Sequence, residues 1–172
     1  MCARRWRITA LCEVDGAAAG ASLGAMRMFL RTLAWAGLVL ATGGDPAQVF
    51  DALARLQPVR GRLERAAITR TGAPVYVDYA HTPDALEAAI AALRPHSAGR
   101  LIVVFGAGGD RDAGKRAPMG RIVAEQADLG IVTDDNPRGE DPAAIRAAVL
   151  SGGATLREVG DRRAAIAAAI AE

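Results

Sequence analysis

The chain has 172 residues, a formal net charge of +2 and a hydrophobic fraction of 51%, which indicate a globular protein long enough to bury a core. Charges of both signs are mixed along the chain and aromatic residues make up only 4%, so we expect no nucleic-acid partner. Cys2 and Cys12 have neither metal-ligand nor disulfide-framework spacing, which argues against a zinc site and a disulfide-stapled secreted fold.

The amino-terminal region does not have the pattern of a secretory signal. Arginines near the start are followed by no continuous apolar run, because Glu13 and Asp15 interrupt it. The most apolar segment, residues 32–42, is too short to cross roughly 30 Å of hydrocarbon as a helix. We interpret it as a buried helix of a cytoplasmic protein that has no membrane partner.

Two helices are predicted in the first third of the chain. The pattern is helical from about Met26 to Ala41 and ends at a pair of glycines, the residue type that ends helices. Asp45 and Pro46 then have the pattern of an N-cap followed by proline at the first helical position. This second helix is expected to continue to Leu56, with one buried apolar stripe.

A domain boundary is predicted just after the second helix. Pro58 ends the helical pattern, and residues 57–72 are typical of an exposed, charged connector or a short hairpin. We therefore divide the chain into residues 1–58 and residues 59–172.

The second part alternates regularly between strand and helix patterns. Residues 101–105 form a strand that is apolar on both faces, as expected of a central parallel strand covered on each side. The pattern predicts an α/β fold with a doubly wound, mostly parallel, Rossmann-like sheet. The predicted strands are 75–77, 101–105, 129–132 and 156–159, and the helices are 83–93, 115–126, 142–150 and one capped by Asp161.

Polar side chains follow each of the first three predicted strands. In open parallel sheets, ligands bind beyond the carboxyl ends of the strands, so these loops form the candidate site. In the first loop, His81 follows Asp78 by three residues, and it is either a structural histidine or a contact for a nucleotide or a metal-bound phosphate. The three loops comprise residues 78–84, 106–116 and 133–141.

The second loop has three glycines in four positions, which either form a tight turn or free backbone N–H groups for an anion. The spacing fits neither the phosphate loop of nucleotide triphosphatases nor the dinucleotide fingerprint. Lys115, the only lysine of the chain, follows these glycines and favours anion binding.

The third loop contains Asp135-Asn136-Pro137-Arg138. Arg138 could bind a carboxylate with its fork of N–H groups, while Asp135 and Asn136 receive an ammonium group. A helix-capping turn is the equally weighted alternative, because Asn-Pro pairs commonly punctuate chains.

These three loops, in this order, resemble the carboxy-terminal domain of the Mur ligases. The resemblance covers roughly residues 36–172 and includes the linker-like segment 56–64, and residues 36–56 resemble the last helices of the central ATPase domain. The motifs are Asp78-Tyr-Ala-His81-Thr-Pro-Asp84, Val104-Phe-Gly-Ala-Gly-Gly-Asp-Arg-Asp112 with Gly114-Lys-Arg116, and Asp135-Asn-Pro-Arg138.

The resemblance implies a part of an ATP-dependent ligase that adds meso-diaminopimelate to UDP-N-acetylmuramoyl-L-alanyl-D-glutamate in peptidoglycan precursor synthesis. The complete enzyme uses ATP and Mg²⁺ to activate the glutamate carboxylate as an acyl phosphate, which the incoming amine attacks. This chain would supply the diaminopimelate-binding domain. The implied diaminopimelate contacts are Arg111, Asp135, Asn136, Pro137 and Arg138, and the implied nucleotide-proximal residues are Arg62, Asp78, His81 and Lys115.

The chain also departs from the family pattern. It has no Gly-x-x-Gly-Lys-Thr/Ser phosphate loop, and the Gly-Lys-Gly-His-Glu segment of the family would follow its last helix. Residues 1–34 match no part of the family. We therefore expect no catalytic turnover from this chain alone, and a free-standing nucleotide or amino-acid binding module or a non-functional gene fragment stays open as the alternative.

Overall fold

The computed structural model describes the backbone of residues 8–12, 23–55 and 60–172 and the side chains of residues 32–55 and 60–172. The predicted alternation of strands and helices in the second part of the chain is confirmed. The described elements are β1 (Ile8–Cys12), α1 (Leu23–Ala41), α2 (Pro46–Ala54), β2 (Glu64–Ile68), β3 (Pro74–Asp78), α3 (Pro83–Leu93), β4 (Leu101–Phe105), α4 (Arg116–Gln126), β5 (Leu129–Val132), α5 (Pro142–Leu150), β6 (Arg157–Glu158) and α6 (Arg162–Ala171).

The six described strands form one sheet in the order β2-β3-β1-β4-β5-β6. β4, β5 and β6 pair in parallel. β3 runs in the same direction, because β1 lies between β3 and β4 and is antiparallel to both. The mostly parallel α/β class is thus confirmed, and the carboxyl ends of β3, β4 and β5 lie at one edge of the sheet.

Two strands were not predicted as such. β1 lies in the stretch that matched no known pattern, and it pairs Ile8 with both Asp78 and Phe105. β2 forms an antiparallel hairpin with β3, so the hairpin is the correct alternative for the segment before residue 73. Gly72 in the connecting turn has φ +93°, a left-handed conformation that glycine adopts without steric cost.

The sheet is covered on both faces. Every residue of β4 is buried, and successive side chains point to opposite layers. On one face, Val103 and Phe105 pack in a core with α3, α4 and α5. On the other face, Ile102 and Val104 pack against small residues of α6. The prediction that this strand is apolar on both sides because it is covered on both sides is confirmed.

The expectation that residues 32–42 form a buried helix is wrong. Ala36 is the only buried residue of α1 among those with described side chains, and Trp35 is 69% exposed. The reason is that α1 packs on α2 and α3, and its remaining surface has no neighbour in the described part of the chain. The expected buried apolar stripe of the second helix is also wrong, because α2 has no buried residue. The helix ends at Ala54 with Arg55 as its C-cap, two residues before the predicted end at Leu56.

The predicted domain boundary at 58/59 lies outside the described residues. Among the helices that are described, none combines the length and the apolar character needed to cross a membrane.

Candidate functional site

The first loop begins at Asp78, the last residue of β3. Its two carboxylate oxygens accept backbone N–H groups, one from Leu63 at 2.8 Å and one from Ala80 at 2.7 Å. Leu63 has φ +46°, an uncommon conformation for a residue with a branched side chain. Asp78 therefore ties the segment before β2 to the loop that follows β3.

The residues predicted to lie near a nucleotide meet around Tyr79, which sequence reasoning did not single out. The guanidinium carbon of Arg62 lies 4.8 Å from the centre of the Tyr79 ring. The His81 ring meets Tyr79 edge-on at 5.1 Å, and Lys115 donates from Nζ to the His81 carbonyl at 2.9 Å. Two cations at this edge of the sheet favour a polyanion such as a phosphate chain.

No three His, Cys, Asp or Glu side chains in the described part of the chain lie close enough together to hold a metal ion. The cations Arg62 and Lys115 fit contact with a phosphate chain.

The glycines of the second loop allow its backbone to pack directly against the third loop. A Cβ on Gly109 would lie 1.8 Å from the Pro137 carbonyl oxygen, and a Cβ on Gly106 would lie 2.2 Å from that of Thr133. The N–H of Gly109 donates to the Asn136 carbonyl at 2.9 Å. The loop is thus neither a simple strand-to-helix turn nor an open anion cradle, because these glycines are buried against their neighbour.

Arg138 has φ +52° and is held from two sides. Its backbone N–H donates to Oδ1 of Asn136 at 3.3 Å, and its Nη1 donates to the Gly109 carbonyl. Nε and Nη2 make no hydrogen bond to other described residues, which leaves one edge of the guanidinium for a carboxylate. Asn136 thus supports the turn as well as offering polar atoms.

Arg111 and Asp135 differ from Arg138 in their surroundings. Arg111 is exposed and Asp135 is half-buried. Within the described residues, neither side chain has a hydrogen bond or ion pair. Both are therefore available to a ligand at the junction of the second and third loops.

Sequence reasoning did not assign roles to the residues that join these two loops, which we call the loop clasp: Asp110, Arg116, Gly139 and Glu140. Arg116 is buried, and its Nη2 lies 2.7 Å from Oε1 of Glu140. The same Glu140 oxygen accepts the Asp110 N–H at 2.6 Å, and Oδ2 of Asp110 accepts the Gly139 N–H at 2.9 Å. The position of Arg116 after the glycine-rich loop hinted at a role, but nothing local indicated its partner.

The loop clasp shifts the titration of its two ionic members. The hydrogen bond to Glu140 raises the pKa of Arg116, against the opposing effect of burial. The hydrogen bonds from Arg116 and from the Asp110 N–H lower the pKa of Glu140. Both groups are therefore held in their charged forms at neutral pH.

A second unpredicted ion-pair group supports the third loop from its other side. Arg146 bonds to Asp134, and its Nε lies 2.6 Å from Oε1 of Glu158. Arg162 donates from Nε to the Asp134 carbonyl at 2.9 Å. The bonds to Glu158 and Asp134 raise the pKa of Arg146. The third loop is thus anchored to α5, β6 and α6.

The three loops form one continuous surface at the carboxyl edge of the sheet. Lys115 joins the second loop to the first, and the loop clasp joins the second to the third. The glutamate ligase domain of the Mur ligases matches residues 61–172, and the chain therefore belongs to the Mur ligase family.

Individual relatives point to one branch of this family. The chain is 66% identical over 135 residues to the UDP-N-acetylmuramoyl-L-alanyl-D-glutamate--2,6-diaminopimelate ligase of Zymomonas mobilis. This alignment covers 78% of this chain and 28% of that protein. The chain is 60% identical over 136 residues to the protein of the same name from Caulobacter vibrioides, covering 79% and 28%. The chain thus spans little more than a quarter of these relatives.

Solved structures agree with this placement. A structure of a UDP-N-acetylmuramoyl-L-alanyl-D-glutamate--2,6-diaminopimelate ligase aligns with a TM-score of 0.51 at 36% identity, covering 76% of this chain and 27% of that one. A Mycobacterium tuberculosis folylpolyglutamate synthase complexed with ADP and AMPPCP aligns with the same TM-score at 24% identity, covering 75% and 28%. The second likeness concerns the fold alone.

Proposed function

We propose that this chain supplies the amino-acid-binding domain of a cytoplasmic, ATP-dependent ligase that adds meso-diaminopimelate to UDP-N-acetylmuramoyl-L-alanyl-D-glutamate. The observation that carries the proposal is the open guanidinium edge of Arg138, whose Nη1 bonds to the Gly109 carbonyl, two residues before the exposed Arg111. Two relatives named for this reaction share 66% and 60% identity with the chain over 135 and 136 residues.

The role proposed for each residue follows from the charges of the ligand. Diaminopimelate carries two carboxylates and two ammonium groups. Arg138 binds one carboxylate through Nε and Nη2, and Arg111 binds the other. Asp135 and Asn136 receive an ammonium group, and Pro137 stiffens the turn between Asn136 and Arg138. The domain thereby holds the attacking amine in a fixed direction, which lowers the entropic part of the barrier.

The nucleotide side of the proposal rests on the cluster around Tyr79. Arg62 and Lys115 supply positive charge near the phosphates of ATP, and His81 lies between them. Asp78 acts indirectly, because its oxygens hold the Leu63 and Ala80 N–H groups. ATP supplies the phosphoryl group that activates the substrate carboxylate, and the described residues neutralise charge. Magnesium is assigned to residues outside this chain.

The proposal is tested by titrating the isotope-labelled chain with meso-diaminopimelate and following the amide signals of residues 108–112 and 135–140 by NMR. We expect weak, saturable binding at these residues. Arg138→Ala should weaken it by at least about tenfold, since a bidentate charge-assisted pair is lost. Arg70→Ala, an exposed arginine in the turn between β2 and β3, is the matched control and should bind like the unaltered chain.

Two results would contradict the proposal. One is saturable binding elsewhere on the domain that Arg138→Ala leaves intact. The other is binding of ATP with no response to diaminopimelate, which would favour a nucleotide-binding module. The purified chain mixed with ATP and the UDP-linked dipeptide is expected to form no ADP, because its sequence has no phosphate loop.

A further inference from the structure

Arg116 is the only charged side chain that is buried in the described part of the chain, with 6% of its surface exposed. Removing a guanidinium from water is costly unless an opposite charge and hydrogen bonds compensate for the lost hydration. Glu140 supplies that charge at 2.7 Å, and the Gly108 carbonyl lies 3.5 Å from the same nitrogen, Nη2. The Nε atom of Arg116 has no hydrogen-bond partner among the described residues.

The buried Arg116–Glu140 ion pair is not explained by folding stability alone. A buried ion pair commonly stabilises a fold no better than well-packed apolar side chains of similar volume, and here one buried donor is also left unsatisfied. The position of the pair therefore matters more than its energy. It lies where the second loop meets the third.

Members of the loop clasp are sequence neighbours of the two arginines that we assign to the carboxylates of the ligand. Asp110 precedes Arg111, and Gly139 follows Arg138. The Glu140 carboxylate accepts a hydrogen bond from the Asp110 N–H, and the Asp110 carboxylate accepts one from the Gly139 N–H. Each loop therefore donates a hydrogen bond to the other.

The backbone at both contact points is in the left-handed region. Asp110 has φ +48° and Arg138 has φ +52°. Non-glycine residues adopt this conformation at a steric cost, so surrounding contacts must hold them there. The hydrogen bonds of the loop clasp are the contacts that the structure provides for Asp110 and for the residue after Arg138.

We propose that Glu140, held by Arg116, is a positioning residue that sets the separation of Arg111 and Arg138 and thereby the preference for an amine with two carboxylates over one with a single carboxylate. The inference rests on the proposed function, because it takes those two arginines as the carboxylate contacts. Glu140 itself touches no ligand in this account. It acts through the backbone of Asp110, which the neutral side chain of glutamine would hold less firmly.

The test compares binding of meso-diaminopimelate and L-lysine to the full 172-residue chain by NMR titration. Glu140→Gln should weaken diaminopimelate binding about tenfold, the loss expected for one charge-assisted hydrogen bond, and leave lysine binding nearly unchanged. Arg116→Lys keeps the charge but loses the planar fork. It should lower the affinity for diaminopimelate relative to that for lysine, to a smaller extent than Glu140→Gln does. The matched control is Glu172→Gln.

Glu172 is a suitable control because it also pairs with two arginines, Arg100 and Arg157. Arg100 directly precedes β4 and Arg157 begins β6, so this ion-pair group lies at the edge of the sheet opposite to the loops. Its removal should not change the ratio of the two affinities. A general loss of stability would affect both ligands equally and would not reproduce the selective effect.

A second measurement needs no ligand. Amide hydrogen exchange at Asp110 and Gly139 should accelerate about tenfold in Glu140→Gln and stay unchanged in Glu172→Gln. Unchanged exchange together with an unchanged ratio of affinities would overturn the inference while leaving the proposed function intact. Failure of the unaltered chain to bind diaminopimelate, or binding that survives Arg138→Ala, would overturn the proposed function and this inference with it.

Discussion

Gly109 has the narrowest tolerance of the residues at the candidate site. Any Cβ at this position would lie 1.8 Å from the Pro137 carbonyl oxygen and 3.2 Å from Cδ1 of Ile145. The first contact is with backbone, which cannot move aside as a flexible side chain can. The approach of the second loop to the third therefore requires glycine here.

We expect Gly109→Ala to destabilise the domain by about 3 kcal/mol, because the added methyl group forces the two loops apart. The free energy of unfolding in urea measures this loss. Gly37→Ala is the control, since a Cβ on this helical glycine would meet nothing within 4 Å. That substitution should stabilise α1 by up to about 1 kcal/mol. Equal effects of the two substitutions would show that the loops are not in close contact.

The lowered pKa of Glu140 predicts how the loop contact depends on pH. Its folded pKa lies below its unfolded pKa, so the unfolded state binds more protons and the stabilising contribution is fully present at neutral pH. The contribution is lost as the pH falls below about 4.3, the usual pKa of glutamate. The difference in unfolding free energy between the unaltered chain and Glu140→Gln should therefore shrink from about pH 7 to pH 3. A difference that grows on acidification would contradict this assignment.

The residues of the candidate site were predictable to different degrees. Asp135, Asn136 and Arg138 are neighbours in the chain, so their joint location needed no knowledge of the fold. The pairing of Arg116 with Glu140 crosses from α4 to the third loop, and no local pattern specifies which acid meets which base. The same holds for Arg62 and Tyr79, which come together only because the hairpin folds back.

At the scale of elements, α6 depends on a single cap at its start. Oδ1 of Asp161 accepts the Ala164 N–H at 2.8 Å. The fully buried side chains of the helix that follows are both small, Ala165 and Ala169, and Ile166 packs beside them partly buried. Burying so little apolar surface gives it little packing energy, so its cap carries an unusually large share of its stability.

Asp161→Ala is expected to cost about 1 kcal/mol of unfolding free energy, and Asp161→Ser should restore most of it, because serine is also a good N-cap. Thermal and urea unfolding measure both. Arg163→Ala, an exposed substitution in the first turn of the same helix, serves as the reference and should change little. An equal loss from all three substitutions would show that helix propensity, and not the cap, is responsible.

Periodicity predicted the helices and strands after residue 73 because their apolar spacing reflects burial on the sheet. It overestimated the burial of α1, since an apolar run has the same appearance whether or not a neighbouring element covers it. Trp35 and Leu38 are more than half exposed in the described chain. β2 was left undecided because four of its five side chains are exposed and carry no alternating pattern.

At the scale of the whole molecule, the sheet depends on β1. This strand is the one hydrogen-bonded link between the β2-β3 hairpin and the β4-β5-β6 group in the described structure. Its backbone pairs with β3 on one side and with β4 on the other. Without β1, the β2-β3 hairpin and the β4-β5-β6 group would share no hydrogen bonds within the described sheet.

Thr9→Pro tests this dependence through the backbone alone. Proline in a central strand removes a ladder hydrogen bond and should cost about 3 kcal/mol or more. Ala66→Pro is the comparison, because Ala66 lies at the irregularity of the edge strand β2, between the paired residues Arg65 and Ala67. Circular dichroism on heating should show a much lower midpoint for the first variant. Similar midpoints would indicate that β1 is not central to the sheet.

The central position of β1 has a consequence for synthesis on the ribosome. The strand leaves the exit tunnel before either of its partners, one of which ends at Asp78 and the other at Phe105. Until both have emerged, the nascent chain carries an unpaired strand, and closing the intervening loops costs entropy before any pairing compensates. Translation thus delivers the middle of the sheet before its flanks, and a chaperone that shields β1 should raise the yield of correctly folded chains.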